Sequence, residues 1–196
     1  LAEIESAPLT LTIMAERQAV INTEFGTMTI RFYFDQAPNT VENFTELVEK
    51  RFYDRLTFHK IYPQAYIQGG DPRGDGRGGR PDGKRIKAEF SSIPFVAGTV
   101  GMARLPSDPD SASSQFFITT TRQPSFDGNQ TAFGYLVGEE SFKTLERIAA
   151  ERGAPLLRWE RDWQAAGSSD SARLAGPWGD WRGVGLALSG PHQVEN

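Results

Sequence analysis

The chain has 196 residues, with 21 Lys plus Arg against 25 Asp plus Glu, so its net charge at pH 7 is −4. This balance argues against a nucleic-acid partner, which favours a strong excess of basic residues, and no apolar run approaches the roughly 18 residues needed for membrane insertion. With no cysteine and only two histidines, the chain lacks thiolate chemistry and is a poor candidate for a metal site, so we expect no metal and no cofactor.

An N-terminal extension covers residues 1–17. Within it Leu9, Leu11 and Ile13 alternate with threonines, which is typical of a strand. Two alternatives stay open for this segment, a short edge strand and a loosely held arm. The chain begins with Leu1 rather than Met. A cleaved signal peptide is one explanation, under which the protein would be extracytoplasmic, but the sequence does not fix the compartment.

A hairpin and a helix are predicted next. Residues 19–23 and 27–33 flank a gap that contains Gly26, and the second run alternates with period two, which indicates a β-hairpin. A turn follows, and apolar residues then recur at helical spacing, so we predict a helix over 38–50. The apolar positions of this helix are Val41, Phe44, Leu47 and Val48.

Short strands fill the middle of the chain, followed by a second helix. A Gly-rich loop spans 69–83, and apolar residues share one face of the helix predicted at 139–151. Many short strands with a helix near each end predict a mainly β fold, a closed eight-stranded antiparallel barrel capped by two helices. The strand candidates are 56–62, 66–68, 96–103, 115–120 and 132–137.

Five ordered motifs carry a resemblance to a known family. The motifs are APNTVENF at 37–44, FHKIYP at 58–63 followed by YIQGGD at 66–71, GTVGMAR at 98–104, SSQFFI at 113–118, and FDG at 126–128 with FG at 133–134. Together they closely resemble the cyclophilin family of peptidyl-prolyl isomerases, over roughly residues 18–151. The resemblance implies an enzyme that binds X–Pro segments of peptide or protein clients and assists folding by speeding their cis/trans exchange.

The chemistry implied by the resemblance needs no nucleophile. Rotation about an amide faces a barrier of ~18–20 kcal/mol because the C–N bond has partial double-bond character, and a catalyst must favour the twisted amide over the planar one. Lys60 takes the place of the family's usual catalytic arginine, which keeps the charge without the planar fork. Gln68 matches the family's glutamine and would hydrogen-bond the substrate backbone or support Lys60. His59, the histidine within these motifs, is expected to be a packing residue rather than a catalytic acid or base.

The residues of the substrate groove are likewise assigned from the family by their positions in the motifs. Phe117 would form the floor of the proline pocket, Gln115 would line the groove, and the backbone of Ala103 and Arg104 would pair with the extended peptide. The remaining positions depart from the family's usual residues: Ala65 for phenylalanine, Tyr66 for methionine, Phe126 for leucine and Gln130 for a frequent histidine. These departures predict an altered groove and reduced activity.

The C-terminal part has another composition, since all four Trp lie beyond residue 151. The family's barrel closes with a last strand, for which 184–190 is the best candidate. We therefore divide the chain into the extension, a barrel core at 18–152, a Trp-rich insertion at 153–183, and a closing strand with the C-terminus at 184–196. Because Trp is enriched at binding hot spots, the insertion either anchors a protein partner or packs on the barrel.

Three hypotheses about function follow from these observations. The first is a peptidyl-prolyl isomerase with reduced activity. The second is a catalytically weak or inactive scaffold subunit of a larger complex, which docks through the N-terminal arm and the Trp-rich segment. The third is a binder of proline peptides without turnover.

Overall fold

The computed structural model describes residues 9–14, 18–151, 164–166, 173–176 and 179–182. Eight strands and two α-helices make up the main part, together with 3-10 turns at Pro109–Ser111 and Pro124–Phe126. The strands are β1 (Thr10–Met14), β2 (Gln18–Thr23), β3 (Gly26–Phe32), β4 (Lys60–Tyr62), β5 (Tyr66–Gly69), β6 (Thr99–Met102), β7 (Phe116–Thr119) and β8 (Ala132–Val137), and the helices are α1 (Pro38–Glu49) and α2 (Glu139–Glu151).

The eight strands form one antiparallel sheet in the order β1-β2-β3-β8-β6-β7-β5-β4. The predicted mainly β fold with eight antiparallel strands and two helices is thereby confirmed, and the sheet curls into a half-barrel with β1 and β4 at its ends. The two ends approach each other near Leu9. Its N–H donates to the Leu56 carbonyl at 2.9 Å, and its own carbonyl accepts from the Arg55 N–H at 2.8 Å.

The N-terminal extension supplies one of the eight strands. β1 pairs with β2, with Leu11 opposite Ile21, and Leu9 is buried with 1% of its surface exposed. The edge-strand alternative therefore holds for residues 10–14, because burial of alternate leucines fixes the strand against the sheet. The closing strand predicted at 184–190 lies outside the described residues.

Helix α1 packs its apolar face into the core, but its first turn is capped by a distant residue. Ala37 at the N-cap position offers no side-chain hydrogen bond. The Glu89 carboxylate instead accepts from the N–H groups of Asn39 at 3.0 Å and Thr40 at 2.8 Å. These are N–H groups that a helix leaves without internal partners. The connection between β5 and β6 is thus fastened to the start of α1.

A second compact unit comprises Leu157–Asn196. Its described backbone forms a three-stranded antiparallel sheet of β9 (Gln164–Ala166), β10 (Arg173–Gly176) and β11 (Gly179–Arg182), with β10 in the middle. The sequence did not predict these strands, because runs of three or four residues are too short to establish a period. Of the four tryptophans, only the backbone of Trp181 falls in the described part.

Neither helix in the main described part of the chain combines the length and apolar character that a bilayer crossing requires.

Candidate active site

Strand register brings the predicted catalytic and pocket residues onto one face of the sheet. Lys60 in β4 lies opposite Gln68 in β5, which lies opposite Phe117 in β7, which in turn lies opposite Gly101 in β6. Directly paired residues point to the same face, and their sequence neighbours point to the other. The adjacent row, which includes Ile67, therefore faces the main core, while the Lys60 row builds a separate surface.

The apolar half of this surface is an aromatic cluster around Phe117. The Phe117 ring is 4% exposed, and its centroid lies 5.3 Å from Tyr66, 5.4 Å from Phe126 and 5.7 Å from Phe95. Gly101 makes room for two of these rings, because a Cβ there would lie 2.5 Å from the tip of Phe117. This cluster is distinct from the main core and includes Phe95, Phe117 and Ala132, with Tyr66, Ile93, Ala103 and Phe126 packed on it.

Phe126 is held against the cluster by its neighbour in sequence. The Asp127 carboxylate accepts from the Phe95 N–H at 2.9 Å and from the Arg122 guanidinium. Burial acts to raise the pKa of Asp127, but the hydrogen bonds from Arg122 and Phe95 outweigh it and the pKa is lowered. The ionised Asp127 therefore fixes the turn that presents Phe126 beside Phe117.

The polar half is a chain of amide hydrogen bonds that ends in the Gly-rich loop. Gln68 Nε2 donates to Gln115 Oε1 at 2.6 Å, and Gln115 Nε2 donates to the Gly78 carbonyl at 2.8 Å. Gln68 is buried, so the bond to Gln115 compensates its lost hydration. Gln115 thus connects the floor of the groove to the loop.

The loop also bounds the Lys60 ammonium. Lys60 Nζ lies over Gly76, where an added Cβ would come within 2.5 Å of it, and Gly76 has a φ of +80°. Asp71 shapes this turn by accepting from the N–H groups of Gly76 and Arg73. At Gly78, an added Cβ would overlap Asp71 Oδ1. The close approach of loop and lysine thus depends on glycine at position 76.

Arg80 anchors the far end of the loop to α1. Its side chain is 2% exposed, and all five N–H donors are used, by Asn43, Glu46 and Asp82. Hydrogen bonds from Arg80 and then Lys50 lower the pKa of Glu46 to about 2. This ion-pair network gives the loop a fixed base on the helix.

Ala103 and Arg104, whose backbone is predicted to pair with the peptide, lie at the groove's other side. The Ala103 N–H donates to the Gln115 carbonyl at 2.9 Å, so the end of β6 continues its pairing with the segment before β7. The Arg104 guanidinium turns to the rim, where it donates to the carbonyls of Asn129 and Leu105, each at 2.9 Å. The pairing of the Ala103 and Arg104 backbone with a peptide stays a prediction.

The remaining predicted residues lie at the margins. Ala65 sits in the turn between β4 and β5, where its N–H donates to the Tyr62 carbonyl, and is not part of the Phe117 cluster. Gln130 donates its N–H to the Phe126 carbonyl, and its buried Oε1 has no partner within the described residues. His59 is buried, and this burial lowers the pKa of its imidazole below its ordinary value, which suits the packing role predicted for it.

Three residues of the site were not predicted. Tyr62 shares a face with Lys60, which the alternation within the predicted strand could have indicated. Phe95 and Gly76 lie in segments without periodicity, so no local pattern points to them. Within the described ranges, no group of three or more His, Asp or Glu side chains is arranged to hold a metal ion.

A family model described as cyclophilin type peptidyl-prolyl cis-trans isomerase matches residues 19–161. The chain belongs to this cyclophilin family. A peptidyl-prolyl cis-trans isomerase of Synechococcus elongatus is 42% identical over 131 residues, which cover 67% of this chain and 88% of the relative. An Arabidopsis thaliana peptidyl-prolyl cis-trans isomerase is 35% identical over 136 residues, covering 68% and 83% of the two chains.

Solved cyclophilins share the fold. The crystal structure of a Cryptosporidium parvum cyclophilin type peptidyl-prolyl cis-trans isomerase, obtained in the presence of the dipeptide Ala-Pro, matches with a TM-score of 0.63 at 30% identity, covering 71% of this chain and 91% of that one. The predicted family and its peptidyl-prolyl isomerase function are thereby confirmed. The roles of individual residues and the reduced rate stay predictions.

Proposed function

We propose that this cyclophilin binds an X–Pro segment between the Phe117 cluster and Lys60, and that it catalyses rotation at a reduced rate. The cross-strand row from Lys60 through Gln68 to Phe117 carries this proposal. Strands lie about 4.8 Å apart, so two spacings separate the lysine from the aromatic floor by about 10 Å. A proline ring on Phe117 therefore leaves its amide within reach of the long Lys60 side chain.

The proposed chemistry is electrostatic. As the amide twists, conjugation is lost and the proline nitrogen regains its lone pair. Lys60 donates a hydrogen bond to the twisted amide, and the hydrogen-bonded Gln68 orients the substrate backbone beside it. Only interactions that strengthen in the twisted state accelerate rotation, and the half-buried aromatic wall strengthens them by excluding water.

The reduced rate follows from the shape of the cation. An ammonium is a point charge with rotatable donors, whereas a guanidinium presents a rigid planar fork that fixes two hydrogen bonds at once. In this chain Lys60 Nζ lies against Gly76, which limits its directions of approach. Lys60 therefore keeps the positive charge but directs its hydrogen bonds less strictly than an arginine would.

The test is prolyl exchange in a short X–Pro peptide, followed by NMR with and without the protein. Loss of a positioned donor lowers the rate by about 10²–10³-fold, so we expect about a hundredfold loss in Lys60→Ala and a gain in Lys60→Arg. Lys143→Ala removes an exposed lysine from α2 and serves as the matched control. An active protein in which Lys60→Ala keeps full activity would refute the assignment. Peptide shifts without faster exchange would instead indicate a binder without turnover.

A second candidate is the scaffold role, which we propose for the C-terminal unit. It is supported by the division of the chain into two compact units, of which Leu157–Asn196 is the second and contains all four tryptophans. In the full chain, replacing the four Trp by Ala should abolish co-migration with a protein partner and leave prolyl exchange unchanged. Co-migration that survives this replacement would exclude the role for these residues.

A further inference from the structure

An aromatic pair extends the groove beyond the proline pocket. Tyr62 and Tyr66, here called the tyrosine platform, lie directly opposite each other in β4 and β5. Their ring centroids are 4.7 Å apart with an interplanar angle of 42°. Tyr66 in turn lies 5.3 Å from Phe117 and 5.8 Å from Phe126. The platform is therefore continuous with the proposed proline pocket.

The platform changes from half-buried to exposed as it leaves the pocket. Tyr66 is half-buried, whereas Tyr62 is 44% exposed. β4 is the last strand of the sheet, so Tyr62 sits at its edge with only β5 paired beside it. Large exposed aromatic groups next to a groove are typical of binding surfaces, because their apolar area is released from water when a partner covers it.

The platform is held rigid by its turn. The Ala65 N–H donates to the Tyr62 carbonyl at 3.1 Å, and the Ala65 carbonyl accepts from the Thr120 N–H at 2.8 Å. Between them the Gln64 carbonyl accepts from Thr121 Oγ1 at 2.6 Å. A surface ordered in this way before binding loses little conformational freedom when a ligand is bound. The two rings are thus presented in fixed positions.

We propose that the tyrosine platform is a second subsite, which takes an aromatic side chain of the substrate on the side of the proline away from Arg104. Arg104 follows β6, which lies across β7 and β5 from Tyr62. The centroid separations from Phe117 to Tyr66 and from Tyr66 to Tyr62 are 5.3 and 4.7 Å. Together they match the length of about three extended residues at ~3.3 Å each. The favoured side chain therefore lies within three positions of the proline. This inference rests on the proposed function.

The chemistry of the platform selects the ligand. Aromatic pairs prefer offset or tilted arrangements at centroid separations of about 4.5–7 Å. The exposed Tyr62 ring leaves room for a substrate ring in either arrangement. A carboxylate side chain in the same place would lose hydration without gaining an ion pair from the two tyrosines. The platform should therefore prefer phenylalanine over alanine, and alanine over glutamate.

The test compares peptides with one proline in an alanine background, each carrying a single Phe at one of the three positions on either side. The observable is kcat/KM for prolyl exchange measured by NMR. We expect a gain of about 3- to 10-fold at one or two positions on one side of the proline. Tyr62→Ala should remove most of this gain and Tyr62→Phe should keep it. Val96→Ala, which trims another exposed apolar side chain, should also keep it.

The outcomes separate the subsite from the function on which it rests. Exchange of the all-alanine peptide without any gain from Phe would overturn the subsite alone. The same gain in Tyr62→Ala as in the unmodified chain would also overturn it. If neither the parent peptide nor any Phe peptide exchanges faster or shifts, the proposed groove function fails and the subsite fails with it.

Discussion

The two halves of the groove are built by different means. The apolar half, centred on Phe117 of β7 with the Phe95 ring stacked on it, is as fully buried as the main core. The polar half places Lys60 beside Gly76 of a loop that depends on Asp71 and Arg80 for its shape. The comparison indicates that changes in the apolar half alter stability and binding together, whereas changes at Lys60 itself alter the rate at nearly constant stability.

The largest expected effect is the loss of stability on truncation of the floor. Phe117→Ala should lower the free energy of unfolding by about 3–5 kcal/mol, because it leaves a cavity among packed rings. Urea unfolding measures this loss. Phe90→Ala is the matched control, since Phe90 is 43% exposed, and it should cost well under half as much. Equal losses in the two variants would show that the Phe117 ring contributes no more to stability than an exposed ring does.

An intermediate effect is expected in the loop and concerns the rate. Gly76→Ala would place a methyl group against Lys60 Nζ, whereas at Gly83 a Cβ would meet nothing within 4 Å. Both glycines have positive φ, at +80° and +71°, so each substitution should cost about 1–2 kcal/mol of backbone strain. Only Gly76→Ala should also lower kcat for prolyl exchange, by about tenfold, because it displaces the ammonium.

Two measurements on the same samples test that pair. Thermal unfolding should show similar destabilisation of both variants, while NMR exchange should separate them. Equal catalytic rates in Gly76→Ala and Gly83→Ala would mean that the loop does not position Lys60. The position of Lys60 would then be as independent of the loop as that of any surface lysine.

The smallest expected effect lies outside both halves, at the cap of α1. Burial acts to raise the pKa of Glu89, but hydrogen bonds from Thr40 and Asn39 prevail and lower it. A carboxylate with a lowered folded pKa contributes stability that is present above its unfolded pKa of about 4.3 and is lost as the pH falls through the folded value. Glu89→Gln should therefore cost about 1 kcal/mol at pH 7.

The pH profile of Glu89→Gln provides its own control. Urea unfolding at pH 7 should show the full difference from the unmodified chain, and the difference should shrink as the pH falls below 4. A difference that stays constant with pH would show that the cap acts without its charge. Prolyl exchange should be the same in both proteins at pH 7.

Much of the fold follows from periodicity, and the exceptions have local causes. The strand at 132–137 and the helix at 139–151 were predicted with the bounds that the structure has. The strand predicted at 56–62 is shortened to Lys60–Tyr62, because the Leu56 carbonyl bonds to Leu9 instead of a neighbouring strand. The strand predicted at 96–103 begins only at Thr99, because Gly98 has a φ of +87° and lies in a turn in which the Thr99 N–H donates to the Val96 carbonyl.

The site was predictable where it lies on strands and not where it lies on loops. Alternation places Lys60 and Gln68 on the face of Phe117 as soon as the strands are paired in register. Gly76 approaches Lys60 through a turn shaped by a buried carboxylate, which no period encodes. The engagement of the Ala103 N–H likewise depends on a pairing with Gln115 that is set by tertiary structure.

The cap of α1 also has a consequence for the order of folding. The helix has 12 residues, a length that is marginal in isolation, and Glu89 lies 49 positions after Thr40. At synthesis rates of about 5–20 residues per second, this carboxylate leaves the ribosome several seconds after the helix that it completes. We therefore expect the first turn of α1 to become ordered late, so that loss of Glu89 mainly speeds unfolding and hardly slows refolding.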